Sequence, residues 1–527
     1  MLTTATRRAS TTIIHKRAQY GPFISGRFVE GAGETLTVED PATGATICSV
    51  TSPSESEVDN VIVRAHHVFQ SGVWSKASTI HRSNTLSKLA RLLRDQIPGL
   101  AEIESIQTGR PIREMKAQLG RLPEWLEYYA ALIRTQHAGF VAPTQGPLLN
   151  YVTRVPLGVV AQITPFNHPM LISVKKIAPA LAAGNSIIVK PSELAPMSVL
   201  EFAELAAEAG LPADVLSVLP GGSAIGKAVI SHPMIRKVDI TAGTTTGRAI
   251  GSIVGQNLAA FVAELGGKAP VMVFDDADLQ SAINGVSFAA FVASGQTCVS
   301  GTRLLVQDRI YDDFVRGLLA KVKSITTRIG NPMNPLSTMG PVISANALER
   351  VSRMVSGSLQ RGRSRVIAGG ERMTGLSLLD GFDLSKGYFY PPTIVEGVDP
   401  GDELFQEEVF GPVVTITRFK DEVEGVKLAN DSRYGLGAAI WTSDVSRAHR
   451  VSALIEAGLC WVNTHHRNDP SSPWGGMKES GIGRENGVEA LESYSQSKST
   501  IVGTASPEDT RMNDDWFADT TEEKRYG

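Results

Sequence analysis

Hydrophobic and polar positions recur with different periods in successive parts of the chain. Over residues 55–134 apolar residues recur three and four positions apart, as at Leu86 and Leu89, which predicts long amphipathic helices. Over residues 19–47 short apolar runs alternate with glycine and proline turns and predict small strands. Residues 146–156 predict an extended arm.

After Gly158 the pattern becomes a regular alternation of strands and helices. The predicted strands are 159–163, 186–190, 215–219 and 237–241, and the predicted helices are 169–183, 198–209 and 246–254. Such alternation builds a parallel, doubly wound sheet. Ligands bind sheets of this kind at the carboxyl ends of the strands.

A second α/β series begins near Ala269. Its predicted strands include 270–274, 303–306 and 413–416, and we expect a second domain over about 266–464. A chain of 527 residues is too long for one hydrophobic core, because single cores stop growing near ~250–300 residues. The predicted fold class is therefore α/β with two large domains.

The composition argues against several classes of function. Hydrophobic residues make up 42% of the chain and the formal net charge is −3, so no overall positive field recruits nucleic acid. No apolar run approaches the ~18 residues of a membrane-spanning helix. The three cysteines, Cys48, Cys298 and Cys460, form no disulfide framework and no zinc pattern, so we expect no metal and a reducing compartment.

The two ends of the chain differ from the rest. Residues 1–19 are basic and rich in serine and threonine, and no acidic residue precedes Glu30. This pattern is typical of a mitochondrial transit peptide and equally of a disordered arm, so cytoplasm and mitochondrial matrix both stay open. Residues 504–527 are acidic and polar and predict a tail outside the core.

Glycine turns and one acid indicate a nucleotide site in the first series. Gly222 and Gly243 each follow a predicted strand and open a helix, where backbone amides favour a phosphate, although ordinary strand-to-helix turns also carry glycine. Glu193 follows Lys190 just past a strand end. A carboxylate there can accept hydrogen bonds from both ribose hydroxyls and would repel a 2′-phosphate, which favours NAD over NADP. The alternative is an acid that stabilises a helix N-terminus.

Three residues suggest covalent chemistry on a carbonyl. Cys298 lies in a glycine-containing turn after an apolar run, and it is either a nucleophile or an inert buried thiol. Glu264, beside two glycines, is a candidate base for water or a surface residue. Asn167, held between prolines, is a candidate oxyanion donor or the start of a turn.

These segments together resemble the aldehyde dehydrogenase superfamily. The resemblance covers residues 20–503 and includes, in the family's order, TPFNHP, VKPSE, ELGGK, GQTC, EEVFGPV and PWGGMKESGIGRENG. It implies NAD-dependent oxidation of an aldehyde to a carboxylic acid. Cys298 would form a thiohemiacetal and then a thioester, Asn167 and the Cys298 N–H would bind the oxyanion, and Glu264 would activate the hydrolytic water. Lys176 and Glu485 would relay protons behind Glu264.

The resemblance also implies a cofactor site and an architecture. The cofactor residues would be Thr164, Pro165, Phe166, Lys190, Glu193, Gly222, Gly243, Thr244, Gly247, Leu265, Glu408 and Phe410. A Rossmann-like NAD-binding domain would comprise 20–136 and 158–265, and the catalytic domain 266–464. Residues 137–157 and 484–503 would form a small β oligomerisation element, so we expect a homodimer or homotetramer.

The substrate tunnel is predicted to have a basic mouth. The positions expected to line it are His168, an uncommon choice beside the oxyanion donor, and Arg121, Lys175, His465, His466 and Arg467. Basic side chains would steer a polar or anionic aldehyde by long-range attraction. Solvated rim charges without selectivity are the alternative.

Two other functions compete with hydrolytic oxidation. In a CoA-acylating dehydrogenase, CoA would accept the acyl group, but Glu264 argues against this because a hydrolytic base would compete. The other alternative is a non-catalytic structural or binding protein on the same fold. The presence of Cys298, Glu264 and Asn167 argues against it.

Overall fold

The computed structural model describes residues 16–135, 139–513 and 515–521. Three predicted segments lie partly outside the described residues: most of the targeting segment, the start of the oligomerisation element at 137, and parts of the acidic tail. Those three predictions therefore stay predictions. Within the described ranges, no helix is both long enough and apolar enough to cross a membrane.

The described elements follow one another along the whole chain. The helices are α1 (Glu55–Ser71), α2 (Thr79–Thr108), α3 (Ile112–Leu119), α4 (Pro123–Thr135), α5 (Pro169–Ala183), α6 (Met197–Glu208), α7 (Ser223–Ser231), α8 (Thr244–Gln256), α9 (Leu279–Phe291), α10 (Tyr311–Thr326), α11 (Ala345–Gln360), α12 (Glu403–Gln406), α13 (Glu422–Asn430), α14 (Val445–Leu454), α15 (Gly487–Ser493) and α16 (Pro507–Asn513). Short 3-10 helices span Val292–Gly295, Asp308–Ile310 and Leu384–Lys386. The strands are β1 (Gln19–Tyr20), β2 (Phe23–Ile24), β3 (Arg27–Phe28), β4 (Thr35–Asp40), β5 (Ala45–Thr51), β6 (Gly139–Ala142), β7 (Leu148–Pro156), β8 (Val159–Ile163), β9 (Ser186–Lys190), β10 (Leu216–Val218), β11 (Ile235–Thr241), β12 (Ala260–Glu264), β13 (Ala269–Val273), β14 (Gly301–Gln307), β15 (Arg365–Ala368), β16 (Thr393–Glu396), β17 (Val413–Phe419), β18 (Tyr434–Gly435), β19 (Gly437–Trp441), β20 (Leu459–Val462), β21 (Met477–Lys478), β22 (Gly481–Ile482) and β23 (Ser495–Gly503).

The helical stretch predicted over 55–134 is divided into four helices by its capping residues. Ser54 and Glu57 form a reciprocal capping box that starts α1. Gly72 (φ 83°) ends α1 and Gly109 (φ 74°) ends α2, each in the left-handed conformation. Glycine adopts this conformation without steric cost, so the chain can turn sharply between helices.

The first α/β series forms an eight-stranded sheet in the order β22-β12-β11-β8-β9-β10-β2-β3. The five strands from β12 to β10 are parallel, and β22 and β2 pair antiparallel at its two sides. Apolar side chains of α2, α5 and α6 pack against one face, and those of α1 and α7 against the other. The predicted doubly wound α/β unit is confirmed. Several bounds differ from their predictions by one or two residues, as at α6, β10 and β11. Helix α8 starts at Thr244 rather than Thr246 because Gly243 is its N-cap, and it ends at Gln256 rather than Val254.

The second series forms a seven-stranded sheet in the order β15-β16-β17-β14-β13-β19-β20, parallel except for β15. Helices α9 and α10 bury apolar side chains against it. A separate three-stranded antiparallel sheet joins β6, β7 and β23. It carries exposed apolar residues, among them Phe140, Val141, Leu149 and Ile501.

The parallel strands deliver the candidate site residues to one edge of the eight-stranded sheet. Strand β8 ends just before Thr164, β9 ends at Lys190 and β12 ends at Glu264. The carboxyl ends of parallel strands lie side by side. Residues far apart in sequence therefore meet at this edge, close to Cys298 of the second α/β series.

Candidate active site

Cys298 follows a constrained turn at the end of α9. Ala293 (φ 54°) and Ser294 (φ 55°) adopt the left-handed conformation, which costs about 1–3 kcal/mol for each non-glycine residue. The Ser294 hydroxyl donates a hydrogen bond to the Gly340 carbonyl at 2.8 Å. At Gly295, with φ 70°, a Cβ would lie 2.2 Å from the Gly411 oxygen. The surrounding structure thus fixes the turn that presents the thiol.

The two glycines after Glu264 allow a close approach of two segments. A Cβ on Gly267 would lie 2.2 Å from the Cys298 carbonyl oxygen, and one on Gly266 would lie 2.6 Å from Glu408 Oε2. Only residues without a Cβ fit there. Their role is close packing of the Cys298 and Glu408 segments.

Asn167 is held opposite Cys298 at the start of α5. Its Nδ2 donates to the Gln296 carbonyl at 2.8 Å, which leaves its second amide hydrogen for another acceptor. Asn167 and Cys298 line one cavity of about 340 Å³. This arrangement suits an amide that donates to an oxyanion formed on a carbonyl bound to the thiol.

A buried ion pair connects the two sides of this cavity. Arg110, 2% exposed, donates to the Asn167 carbonyl at 3.0 Å and to His168 Nδ1 at 2.6 Å. It also pairs with Glu114, whose Oε1 accepts the Ala293 N–H at 3.1 Å. One ion pair therefore ties the segment bearing the amide to the turn before the thiol.

Glu264 ends β12 as a buried acid. Neither of its carboxyl oxygens has a hydrogen-bond partner among the described residues, and a Cβ on Gly475 would lie 2.8 Å from Oε1. Burial, and after it the charge of Glu485, raises the pKa of Glu264 well above its ordinary value. A carboxylate that is hard to ionise is a stronger base once ionised.

Glu485 lies in the same region, but its pKa is shifted in the opposite direction to that of Glu264. Its Oε2 pairs with Lys175 Nζ at 2.7 Å and its Oε1 with Lys176 Nζ at 2.5 Å. Lys176 also pairs with Asp239, which accepts the Tyr494 hydroxyl at 2.6 Å. Burial alone would raise the pKa of Glu485, but the two lysines hold it at about 2.

The Cys298 thiol is protonated at rest. Burial raises its pKa to about 12, and the Glu408 and Glu264 carboxylates add to the effect. The lowered pKa that reactive cysteines often have is therefore not built into this resting site. Reaction at Cys298 requires removal of its proton.

The cavity beside Cys298 contains several of the predicted cofactor residues. It is lined by Pro165, Phe166, Gly243, Leu265, Glu408 and Phe410. The Phe166 and Phe410 rings meet edge to face at 5.7 Å. Glu408 Oε1 accepts the Gly267 N–H at 3.1 Å, and burial raises the Glu408 pKa to about 7. Thr164 is buried behind this wall, where its hydroxyl accepts from Ser173 at 3.3 Å.

A second cavity, of about 450 Å³, lies between α7 and α8 and contains Lys190 and Glu193. Lys190 Nζ pairs with Glu193 Oε2 at 3.0 Å. Gly222 and Gly243 are the N-caps of α7 and α8, so both helix N-termini face the same edge. Thr244 begins α8 and donates its hydroxyl to the Glu479 carbonyl at 3.2 Å.

Gly247 allows α8 to pack on the strand end beside the first cavity. A Cβ there would lie 2.4 Å from Leu265 Cδ2. A larger residue would push α8 away from Leu265, which lines the cavity shared with Cys298.

The predicted tunnel residues divide into an inner and an outer group. His168, Lys175 and His465 are buried rather than on a rim, which corrects the expected position of Lys175 and His465. Helix α5 is buried on all sides, so Lys175 points into the protein, where its Nζ lies 4.5 Å from the centre of the Trp474 ring.

The inner group carries less positive charge than the sequence suggested. Burial lowers the pKa of His465 to about 4 and that of His466 to about 3, and it also lowers the pKa of His168. Lys175 is neutralised by Glu485. Arg121 and Arg467 remain exposed and line a separate groove of about 740 Å³ next to Trp474.

The structure adds residues that sequence reasoning missed. Arg110, Asp239 and Arg350 take part in or contact the site, and Arg350 donates to the Glu408 carbonyl. For Asp239 the available signal was a charged residue within an apolar strand, because such groups are retained only with partners.

Comparison with known proteins identifies the family. Residues 28–500 match the Aldehyde dehydrogenase family, and the chain therefore belongs to it. A Burkholderia cenocepacia structure described as a candidate aldehyde dehydrogenase is 39% identical, with a TM-score of 0.89 over 97% of this chain and 100% of its own.

Two further solved enzymes show the same fold. The betaine aldehyde dehydrogenase of Staphylococcus aureus, in complex with NAD+, is 33% identical with a TM-score of 0.89, over 95% of this chain and 96% of that one. A cysteine-to-alanine variant of the indole-3-acetaldehyde dehydrogenase of P. syringae, with NAD+ and IAA, is 33% identical with a TM-score of 0.87, over 92% and 96%. The fold class and the family resemblance are confirmed, and the chain is an aldehyde dehydrogenase.

Proposed function

We propose that the protein oxidises an aldehyde to a carboxylic acid with NAD, through a thioester on Cys298 that is hydrolysed with Glu264 as base. One observation carries this proposal. Cys298 and Asn167 line the same cavity, while the carboxyl of Glu264 is buried without a partner among the described residues at the adjacent strand end. A nucleophile, an oxyanion donor and an available base thus converge.

The two cavities fit a dinucleotide. A Cβ on Gly243 would meet nothing within 4 Å, so the start of α8 is open to a large group. Glu193 and Lys190 would hold the adenosine ribose, the α7 and α8 N-termini the pyrophosphate, and Glu408 and Phe410 the nicotinamide riboside. When bound, NAD supplies the hydride acceptor. The Glu193 carboxylate, 45% exposed, favours NAD over NADP because it would repel a 2′-phosphate.

The first half of the reaction forms and oxidises an adduct on Cys298. Loss of the thiol proton allows Sγ to bond to the aldehyde carbon, and the carbonyl electrons move to oxygen. The Asn167 Nδ2 and the Cys298 N–H would donate to that oxyanion. The carbonyl re-forms as hydride leaves the carbon, which produces the thioester.

The second half releases the acid. Glu264 removes a proton from water, whose oxygen attacks the thioester carbonyl, and the sulfur leaves as thiolate. The proton that Glu264 gained would then leave past the ion-paired Glu485 and Lys176, since Glu485 lies close enough for its charge to raise the Glu264 pKa. A buried base with a raised pKa supports hydrolysis over transfer to CoA and over a non-catalytic role.

The proposed substrate is a polar or anionic aldehyde. The side chains next to Asn167 include the His168 and His466 imidazoles, which contact each other, rather than aliphatic residues alone. Arg121 and Arg467 are exposed on the neighbouring groove. Cations around an entrance attract an anion over long distances.

Three of the five sheets in the described residues suggest three roles. The eight-stranded unit (20–136 and 158–265) would bind the cofactor, and the seven-stranded unit (266–464) would supply the nucleophile. The small sheet, from 137–157 and 484–503, would join copies into a dimer or tetramer. Its exposed Phe140, Val141 and Ile501 support this role, because large apolar side chains exposed together mark interaction surfaces.

NADH formation tests the proposal. Purified protein with NAD and a panel of aliphatic, aromatic and carboxylated aldehydes should produce absorbance at the NADH band. Cys298→Ala should abolish it, while Cys460→Ala, at an exposed cysteine, should not. Turnover that survives Cys298→Ala would refute the thioester route.

A further inference from the structure

A groove beside the substrate path has an aromatic floor and basic walls. This outer groove has a volume of about 530 Å³ and lies between α3, α9 and α10. Phe288 and Phe291 form its floor, and Arg113, Lys321 and Arg328 line its walls. Phe288 is 49% exposed, so an apolar surface faces water where a ligand could cover it.

The three cations have no carboxylate partner among the described residues. Arg328 donates only to the Ser324 carbonyl at 3.0 Å and to the Ser324 hydroxyl at 3.3 Å. By contrast, Arg316 on α10, the helix that ends two residues before Arg328, pairs with Asp313 at 2.8 Å. The groove therefore keeps a net positive charge.

The acid in the wall does not cancel this charge. Among the lining residues only Glu114 is acidic, and it is paired with the buried Arg110. Its Oε1 also accepts the Ala293 N–H. An anion entering the groove would meet three free cations and a neutralised carboxylate.

The outer groove continues towards the reaction site through a row of rings. The Phe288 ring centre lies 6.5 Å from that of His466. The His466 ring lies 6.0 Å from His168, which directly follows Asn167. His168 Nε2 is buried without a hydrogen-bond partner among the described residues, so the row of rings ends at an unpaired polar atom beside Asn167.

We propose that the outer groove binds the far carboxylate of an elongated anionic aldehyde whose carbonyl lies at Cys298. The aromatic floor covers the chain of such a substrate, and Arg113, Lys321 and Arg328 bind its charged end. This inference rests on the proposed function and specifies its substrate class. It places the recognition of charge in residues that line no part of the cavity at Cys298.

Charge neutralisation in the outer groove tests the inference. Values of kcat/KM are measured for short and long ω-oxo acids and for n-alkanals of equal length, at low ionic strength. The triple variant Arg113→Gln, Lys321→Gln, Arg328→Gln should lose about 10-fold or more on the long oxo acid, the lower range of electrostatic steering. It should stay within about twofold on the alkanal. The matched control is Lys323→Gln, an exposed lysine of α10 outside the groove, and it should change neither value.

The outcomes separate this inference from the proposed function. Equal losses on both substrates, or none on the oxo acid, would overturn the groove assignment while oxidation itself stands. NADH from no aldehyde at all would instead refute the proposed function. If the triple variant does not fold, the ionic-strength dependence of the wild type decides. The rate on the long oxo acid should fall with salt and that on the alkanal should not, and two flat profiles would overturn the assignment.

Discussion

Two buried glutamates in this protein behave in opposite ways. Glu264 and Glu485 are 2% and 4% exposed, yet the pKa of Glu264 is raised well above its ordinary value and that of Glu485 is lowered to about 2. Desolvation acts on both. The difference comes from partners, because two lysines hold Glu485 while Glu264 accepts no hydrogen bond from the described residues.

The contrast separates a structural charge from a reactive one. A fully paired carboxylate is stable as an anion and has little tendency to take a proton. An unpaired buried carboxylate costs folding free energy, and it is the kind of group that active sites retain for proton transfer. In the proposed mechanism the two glutamates thus have different roles, with Glu264 taking a proton from water and Glu485 organising the charges behind it.

The largest expected effect follows from removing the base. Glu264→Gln should lower steady-state turnover by about 10²–10⁴-fold, the usual contribution of general base catalysis, while the first turnover of NADH persists. Rapid-mixing absorbance of the burst against the steady-state rate measures this. Loss of the burst together with turnover would show that Glu264 acts before the thioester forms.

The Glu264→Gln variant also tests the contrast between the two glutamates through its folding stability. A carboxyl with a raised folded pKa contributes stability at pH values below its unfolded pKa of about 4.3, and this is lost as pH rises through the folded pKa. Glu264→Gln should therefore gain stability relative to the wild type as pH increases. Urea midpoints measured across the pH range test this, and a constant difference would contradict it.

The next effect concerns the paired cluster. Lys176→Met removes one partner of Glu485 and Asp239 and should lower the free energy of unfolding by about 3–5 kcal/mol, as for other broken buried pairs. Urea denaturation measures it, with Lys323→Gln as a surface control. Because the pKa of Glu485 is lowered, its stabilisation is lost as pH falls from about 4.3 towards about 2. The difference between wild type and variant should shrink there, and a difference that persists at low pH would argue against the ion pairs.

The smallest effect concerns the thiol. Since burial raises the pKa of Cys298 to about 12, the rate of its alkylation by iodoacetamide without cofactor should rise about tenfold per pH unit between neutral and alkaline pH, following the thiolate fraction. Mass spectrometry of the Cys298 peptide gives the rate. A plateau near neutral pH would mean that the thiol is already ionised.

The sequence predicted the parts of the site that depend on local pattern. The strand end at Lys190 follows from an apolar run that stops at a charged residue, and the resemblance added roles for Cys298 and Asn167. Strand β12, which ends at Glu264, was not predicted. The structure brings these residues to one edge. The exact starts of helices such as α8 were harder to predict from the sequence, because the cap at Gly243 depends on backbone geometry.

Residues that depend on long-range packing could not be predicted. Arg110 reaches Asn167 across 57 positions, and Lys321 joins Arg113 only because α3 and α10 line the same groove. Lys175 was expected on a rim because lysines are mostly exposed. Its burial follows from the position of α5 between the sheet and its neighbours, which one sequence does not encode locally.

Strand β22 has a consequence for how the enzyme comes into being. It pairs Gly481 with Glu264 across the sheet edge, and the Glu485 cluster follows it directly. The surroundings of Glu264 are therefore completed by residues that lie more than two hundred positions later in the chain. While the chain emerges from the ribosome, the site is therefore incomplete until residues 481–485 have been added. Neither the eight-stranded unit nor the seven-stranded unit, expressed as a separate fragment, would contain the whole site.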